Sequence, residues 1–312
     1  MARRWRGQPG RLEVWYATWS DPRVGAGGWV HHELVAPREG AAYVHGWTAL
    51  FRPPAPPLLE RFGPAPVDAD GPGDGPVPAT EGASLVPPRL RGALGRLAWE
   101  LEWTPAEPAG ATLWTFPSWA WDREVLPGAQ IVPVPSAAFF GAVTVDGERL
   151  ALSPAARGAV AHIYGHGNAE RWGWLHAELG DGDVLEVVAA TSRRTVLDRL
   201  PPAPFLQLRL GGRDWPRRRL AAVPLLRAEL GLPRWRVAGT VGRWRLGVEV
   251  ELPEHQTVSV SYTDPDGAGA TCANSEVADA EIVLEHRRGG RWRTARSWSL
   301  EGTAHAEIGT RP

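Results

Sequence analysis

Glycine or proline occupies about one position in five of this chain, 36 Gly and 30 Pro among 312 residues. Inside a helix Gly costs about 1 kcal/mol and Pro about 3 kcal/mol relative to Ala, so long helices are disfavoured. Between these breakers lie short segments in which apolar and polar residues alternate, the period of a strand. Residues 11–20 place Leu12, Val14, Tyr16 and Thr18 on one face and Trp15 and Trp19 on the other. Bulky groups on both faces suit a barrel wall or a sandwich, not a sheet with one face in water.

Similar segments recur to residue 310 and predict about sixteen strands, with one short helix near 224–231. Asp146-Gly147 and Gly180-Asp181-Gly182-Asp183 predict hairpin turns, as does Arg288-Gly289-Gly290. The expected fold class is all-β, two consecutive antiparallel barrels or sandwiches of about eight strands each with few helices. The division falls between 155 and 195 and is drawn at 165/166, giving units 1–165 and 166–312. Residues 53–88, opening Pro-Pro-Ala-Pro-Pro, read as one long loop. Its Asp68, Asp70 and Asp74 lack the terminal Glu of a calcium loop, so no metal is expected there.

Composition excludes several function classes. A net charge of −1 argues against a nucleic-acid partner held by phosphate neutralisation. No Lys occurs, which removes lysine Schiff-base chemistry. The single Cys272 permits neither an intrachain disulfide nor a cysteine metal cluster. No Walker, Rossmann or Gly-x-Ser-x-Gly motif is present, and no cofactor is expected. The N-terminus lacks an apolar signal core and no 18-residue apolar run follows. The expected address is therefore the bacterial cytoplasm without a transmembrane segment, with contact at a membrane surface left open.

Seventeen Trp stand against six Phe and four Tyr. Several lie beside His or Glu. In His162-Ile-Tyr164-Gly-His166 alternate residues share a face, as do Trp172, Trp174 and His176 on the next strand. Trp29, His31 and Glu33 form a second such face, echoed by Tyr43, His45 and Trp47. A His–Glu pair can do acid–base work, and indole faces stabilise cations. The same residues also serve as strand-register polar pairs and core fillers. Zinc would need a third ligand whose position is not assignable, and no metal is expected. His305 and Glu307 share a face of a closing strand that either borders a cavity or lies at a solvated edge.

Three stretches carry a resemblance: Leu126-Pro-Gly-Ala-Gln-Ile-Val-Pro-Val-Pro, Phe140-Gly-Ala-Val-Thr-Val-Asp-Gly-Glu, and Gly158 through Leu179 with Glu170-Arg171-Trp172-Gly173 at its centre. In this order they resemble the tandem lipocalin-like superfamily of tocopherol cyclase and hydroxyneurosporene synthase. Arg171 stands where that pattern has Lys, and the motif is one residue shorter. The resemblance implies two lipocalin-like barrels and an aromatic cavity between them for a hydrophobic isoprenoid or polyketide-like ligand. The expected activity is a cofactor-independent, acid-catalysed cyclase, isomerase or hydratase. The alternative is a non-catalytic carrier of a lipid, pigment or other hydrophobic ligand. The candidate catalytic residues are Glu170 as acid, with His166 and His176 as proton partners. The candidate substrate-binding residues are Trp29, His31, Glu33, Trp47, Trp114, Tyr164, Trp172 and Trp174.

Overall fold

The computed structural model describes residues 2–67, 77–78, 80–106, 112–124, 126–193 and 197–312. The Asp68, Asp70 and Asp74 group lies outside the described residues. The chain is mostly β, in two antiparallel sheets. The first sheet holds β1 (Arg11–Asp21), β2 (Ala26–Ala36), β3 (Tyr43–Arg52), β4 (Ala55–Pro66), β5 (Ala83–Val86), β6 (Arg89–Leu94), β7 (Leu97–Pro105), β8 (Leu113–Trp114), β9 (Gly128–Val145), β10 (Glu148–Ala151) and β11 (Arg157–Gly165). Its main order is β4-β3-β2-β1-β11-β9-β7-β6-β5.

The second sheet holds β12 (Arg171–Gly180), β13 (Asp183–Thr191), β14 (Ala203–Leu210), β15 (Arg213–Trp215), β16 (Leu226–Glu229), β17 (Arg234–Val241), β18 (Trp244–Glu251), β19 (Val258–Thr263), β20 (Gly269–Arg288) and β21 (Arg291–Thr310). Its main order is β15-β14-β13-β12-β21-β20-β18-β17-β16. β14 comes back against β16, so this sheet is a nearly closed barrel.

Helical structure among the described residues is confined to α1 (Ser118–Asp122), α2 (Arg219–Ala222) and three 3-10 turns. The helix expected near 224–231 is displaced: α2 precedes it, Val223–Leu225 is a 3-10 turn, and Leu226–Glu229 is strand β16. The strand expected over 193–200 lies partly outside the described residues, and Leu197–Arg199 is a 3-10 turn. The long loop expected over 53–88 is corrected more substantially, because its first part forms β4. That strand carries four prolines, which the ladder tolerates since β4 is the sheet edge and needs no donors on its outer side.

The alternation in β1 determines what packs where. Trp15, Ala17 and Trp19 point into the core of the first sheet with Leu85, Leu90, Trp99 and Phe139. Leu12, Val14 and Tyr16 point the other way, into a cluster that also contains Trp172, Trp174, Val260, Tyr262 and Cys272 of the second sheet. The two sheets thus meet face to face across β1, and this junction is apolar and aromatic. No helix among the described residues is long and apolar enough to cross a membrane.

Candidate functional site

The junction encloses a void of about 40 Å³. From the first sheet come Leu12, Val14, Tyr16, Trp29, His31, Glu33 and Ile163, and from the second Trp172, Trp174, Tyr262 and Glu307, with Asn168 of the connecting segment between. Strand pleating explains the selection, since Trp29, His31 and Glu33 are alternate residues of β2 while Trp172 and Trp174 alternate on β12. The rings pack on one another: Tyr16 meets Trp174 edge-on at 5.5 Å and Trp47 meets Tyr262 at 5.2 Å.

Two carboxyls face this void from opposite sheets, and their surroundings shift them in opposite directions. Burial works to raise the Glu33 carboxyl, but hydrogen bonds from His31 and His45 outweigh it and hold the group below the ordinary glutamate range. His31 Nε2 lies 3.2 Å from Glu33 Oε2 and His45 Nε2 3.3 Å from Glu33 Oε1. Arg61 donates to His45 Nδ1 at 3.3 Å, which leaves Nε2 as the nitrogen that donates to Glu33. Burial lowers His31. Glu307 is the reverse case. Burial pushes it up to about 7, only partly offset by the indole N–H of Trp172, which donates at 2.7 Å, and by the Cys272 thiol.

Behind Glu307 lies a buried polar layer. Asn274, its ladder partner, donates to Glu276 at 3.1 Å, and Thr18 of β1 donates to the same carboxyl from across the junction. Burial raises Glu276 to about 8. His305 Nδ1 is 2.6 Å from Glu276 Oε2 but off the geometry of a hydrogen bond, and its ring stacks on His176 at 5.8 Å. Burial and the neighbouring His176 keep His305 well below the usual histidine range. His176 faces Glu186 at 2.8 Å. Burial alone works to lower His176, but Glu186 reverses the sign and raises it. Glu186 also accepts from Trp174 at 2.6 Å and from Gln130 of the first sheet at 2.5 Å.

Of the residues singled out in the sequence, Trp29, His31, Glu33, Trp47, Trp172 and Trp174 come together at the junction, with His176 one layer behind. Tyr164 and Trp114 lie elsewhere. Both pack near Trp121, and Arg4 covers the Tyr164 ring at 4.9 Å. His162 faces Glu13, which also accepts the backbone N–H groups of Arg4 and Trp5 and so ties down the N-terminal segment. His166 is exposed beyond the end of β11, where Arg11 meets its Nδ1 at 3.0 Å. Glu170 sits at the rim, its side chain 41% exposed and 3.9 Å from Arg311. His305 and Glu307 border the cavity, and Cys272 is buried.

Tyr16, Tyr262, Glu186 and Glu276 belong to the site without having been singled out. The available signal was a lone carboxylate inside an apolar strand, as in Val-Leu-Glu186-Val-Val. An exposed strand would not surround a charge with so many apolar neighbours.

A second, larger cavity of about 350 Å³ adjoins the void and shares Asn168 with it. Phe116, Leu126, Pro127, Val188, Ala190, Leu200 and Phe205 make it largely apolar, and Arg193 at its edge is committed to Asp264 and Asp266. A groove of about 630 Å³ on the second sheet is instead walled by ion pairs such as Arg236–Glu229 at 2.8 Å and Arg234–Glu251 at 2.7 Å. That is a solvated charged surface. Among the described residues no group of three His, Cys, Asp or Glu is placed to hold a metal ion.

Solved structures with this architecture include CghA determined with Sch210972 (TM-score 0.62, 14% identity, 96% of this chain and 88% of that one). Kievitone hydratase from Nectria haematococca is similar at TM-score 0.57 and 12% identity, covering 98% of this chain and 91% of that one. An AttH-like protein from Nitrosomonas europaea gives 0.59 and 14%, over 96% and 92%. These likenesses establish the fold. Uncharacterized protein Rv0493c of Mycobacterium tuberculosis is 50% identical over 309 residues, spanning 99% of this chain and 89% of its own. The family model for tocopherol cyclase-like proteins matches residues 91–310, which include β12, β20 and β21 with every second-sheet residue of the junction, and the chain belongs to that family.

Proposed function

We propose that this protein protonates a neutral hydrophobic small molecule at the sheet junction, as a cyclase, isomerase or hydratase. The observation that carries the reading is the opposed carboxyl pair, Glu307 raised and Glu33 lowered, facing one aromatic void. Environments that separate the pKa values of two such groups assign an acid and a base. Glu307 delivers its proton to an alkene or enol carbon, and the rings of Trp29, Trp172, Trp174, Tyr16 and Tyr262 stabilise the cation by roughly 0.5–2 kcal/mol each. Glu33, acting directly or through His31, accepts the proton released when the cation loses one or captures water. One proton leaves Glu307 and one arrives on Glu33, so the ligand's protons balance, water being the co-substrate in a hydration, and proton exchange with solvent resets both carboxyls between turnovers.

The void of about 40 Å³ accommodates only the reacting group, so the apolar body of the ligand belongs in the adjoining cavity of about 350 Å³. Kievitone hydratase, a protein of this fold, is named for a hydration, which supports the reaction class. The rim positions of Glu170 and His166 favour Glu307 over Glu170 as the acid. A carrier reading draws on one observation: among the described residues, the larger cavity offers apolar walls and no free acid or base. Glu307→Gln separates the two. With turnover measured on a panel of polyenes and quinols, Glu307→Gln is expected to cut kcat by 10²–10⁴-fold while ligand affinity holds, and Glu170→Gln to leave both. Turnover unaffected by Glu307→Gln removes the acid assignment, and bound ligand with no turnover in the wild type favours the carrier.

A further inference from the structure

The β20–β21 hairpin ends in a strongly basic tip. Gly289 and Gly290, both at positive φ, form its two-residue turn, and register places Arg288 opposite Arg291 and His286 opposite Arg293. The β17–β18 turn is joined to it by a hydrogen bond from the Arg287 N–H to the Arg243 carbonyl at 2.9 Å. Five exposed arginines, Arg243, Arg287, Arg288, Arg291 and Arg293, thereby lie at one end of the second sheet, on both faces of the hairpin. Among the described residues none of the five is paired with a carboxylate. Glu285, the nearby acid, is already held by Arg245 through two bonds of 2.5 and 2.8 Å.

This concentration occurs in a chain whose net charge is −1, so the tip is a local excess balanced elsewhere. Aromatic and aliphatic groups accompany it. Trp292 lies half-buried under the Arg245 guanidinium at 4.9 Å, and Trp244 packs on His286 at 4.5 Å. α2 and the 3-10 turn that follows it place Leu220 and Leu225 in solvent, 44% and 50% exposed, and the Leu225 carbonyl abuts Gly239 near the end of β17.

We propose that this end of the second sheet docks on an anionic lipid surface. Guanidinium groups meet headgroup phosphates, indoles sit at the polar–apolar boundary, and the two leucines enter the acyl region. A nucleic acid would also welcome arginine and indole, but it offers no apolar phase for Leu220 and Leu225. The apolar cavity is left clear. Its wall includes Leu200 and Ala203 where β14 begins, whereas the basic tip lies beyond the other end of β14, about 20 Å away at a strand rise of ~3.3 Å per residue. Docking therefore holds the protein at the surface by the end of the second sheet remote from that wall.

The test is sedimentation of the full chain with phosphatidylcholine vesicles, with and without phosphatidylglycerol. Binding is expected only to the anionic vesicles, with release at about 1 M salt, where the Debye length is ~3 Å. Arg288→Glu with Arg291→Glu should weaken partition by at least about tenfold, given the known contribution of each basic residue at such a surface. The same charge change on exposed first-sheet arginines, Arg23→Glu with Arg149→Glu, should have a much smaller effect. If the first pair fails to fold, Arg243→Gln with Arg293→Gln takes its place, with a loss of about fivefold expected. Equal binding to neutral vesicles, no binding to either, equal losses in the tip and first-sheet variants, or preferential capture of single-stranded DNA at the same ionic strength would each overturn the proposal.

Discussion

At the scale of single residues, the junction stores protons that the unfolded chain would release. Glu276 is the clearest case, a carboxyl fully enclosed and raised to about 8 from an ordinary 4.5. Its folded form holds the proton more tightly than the unfolded form does. Its effect on stability is therefore nil below pH 4.5, grows unfavourable as pH rises, and levels off above about 8. Each unit of separation is worth about 1.4 kcal/mol. Glu276→Gln, which keeps the shape and cannot ionise, should raise stability at pH 8 by a few kcal/mol and flatten the decline between pH 5 and 8. Denaturant midpoints across that range check this, and an unchanged slope would contradict the burial argument. Activity should follow different groups. It should fall as pH rises through about 7, when Glu307 loses its proton, and fall again only below the ordinary glutamate range, when Glu33 gains one. A pH–rate profile with both limbs above 7 would contradict the assignment.

At the scale of elements, what a strand pattern can reveal is which side chains share a face. Leu12, Val14 and Tyr16 against Trp15 and Trp19, Trp29 with His31 and Glu33, and Trp172 with Trp174 and His176 were all legible for that reason. The hairpins at Asp146-Gly147 and Gly180–Gly182 were legible because both turns place residues at positive φ, including Asp146 and Asp181. Pattern could not show that β4 runs through four prolines, since only its place at the sheet edge permits that. Nor could it show that Glu186 and Gln130, 56 residues apart, would meet across the junction. Such partners are set by how whole sheets pack. The fit of β21 against β12 illustrates the point. A Cβ at Gly309 would lie 2.0 Å from the Trp172 indole, the ring that donates to Glu307. Gly309→Ala should cost about 1–3 kcal/mol by overpacking. By moving the indole off the carboxylate it should also shift the alkaline limb of activity to higher pH. A variant with normal stability and an unmoved profile would show that Trp172 does not position Glu307.

At the scale of the molecule, the two carboxyls proposed as acid and base, Glu307 and Glu33, sit on different sheets, so their separation depends on how the segment between β11 and β12 is held. Asp264, buried just after β19, does this. It accepts from the Asn168 backbone at 3.0 Å and from the Asn168 side chain at 2.8 Å, and it pairs with Arg193 at 3.3 Å and with Arg311. The same Asn168 lines both the void and the larger cavity, so this carboxylate holds in place a residue common to the two spaces. Removing one partner of a buried pair weakens the hold on the other charge, here the largely enclosed Arg311 guanidinium. That group keeps Glu170 at 3.9 Å and two carbonyl acceptors, so the cost is at or below the lower end of the usual range of about 3–5 kcal/mol. Asp264→Ala should lower stability by that amount and cut kcat/KM by more than the loss of folded protein explains. Asp264→Asn keeps one acceptor for Asn168 and should recover geometry better than charge, giving the smaller loss of activity. Thermal unfolding read beside turnover of the folded fraction distinguishes the two effects. If Asp264→Ala loses stability alone, with the folded fraction fully active, then the relation between the sheets does not depend on this clamp.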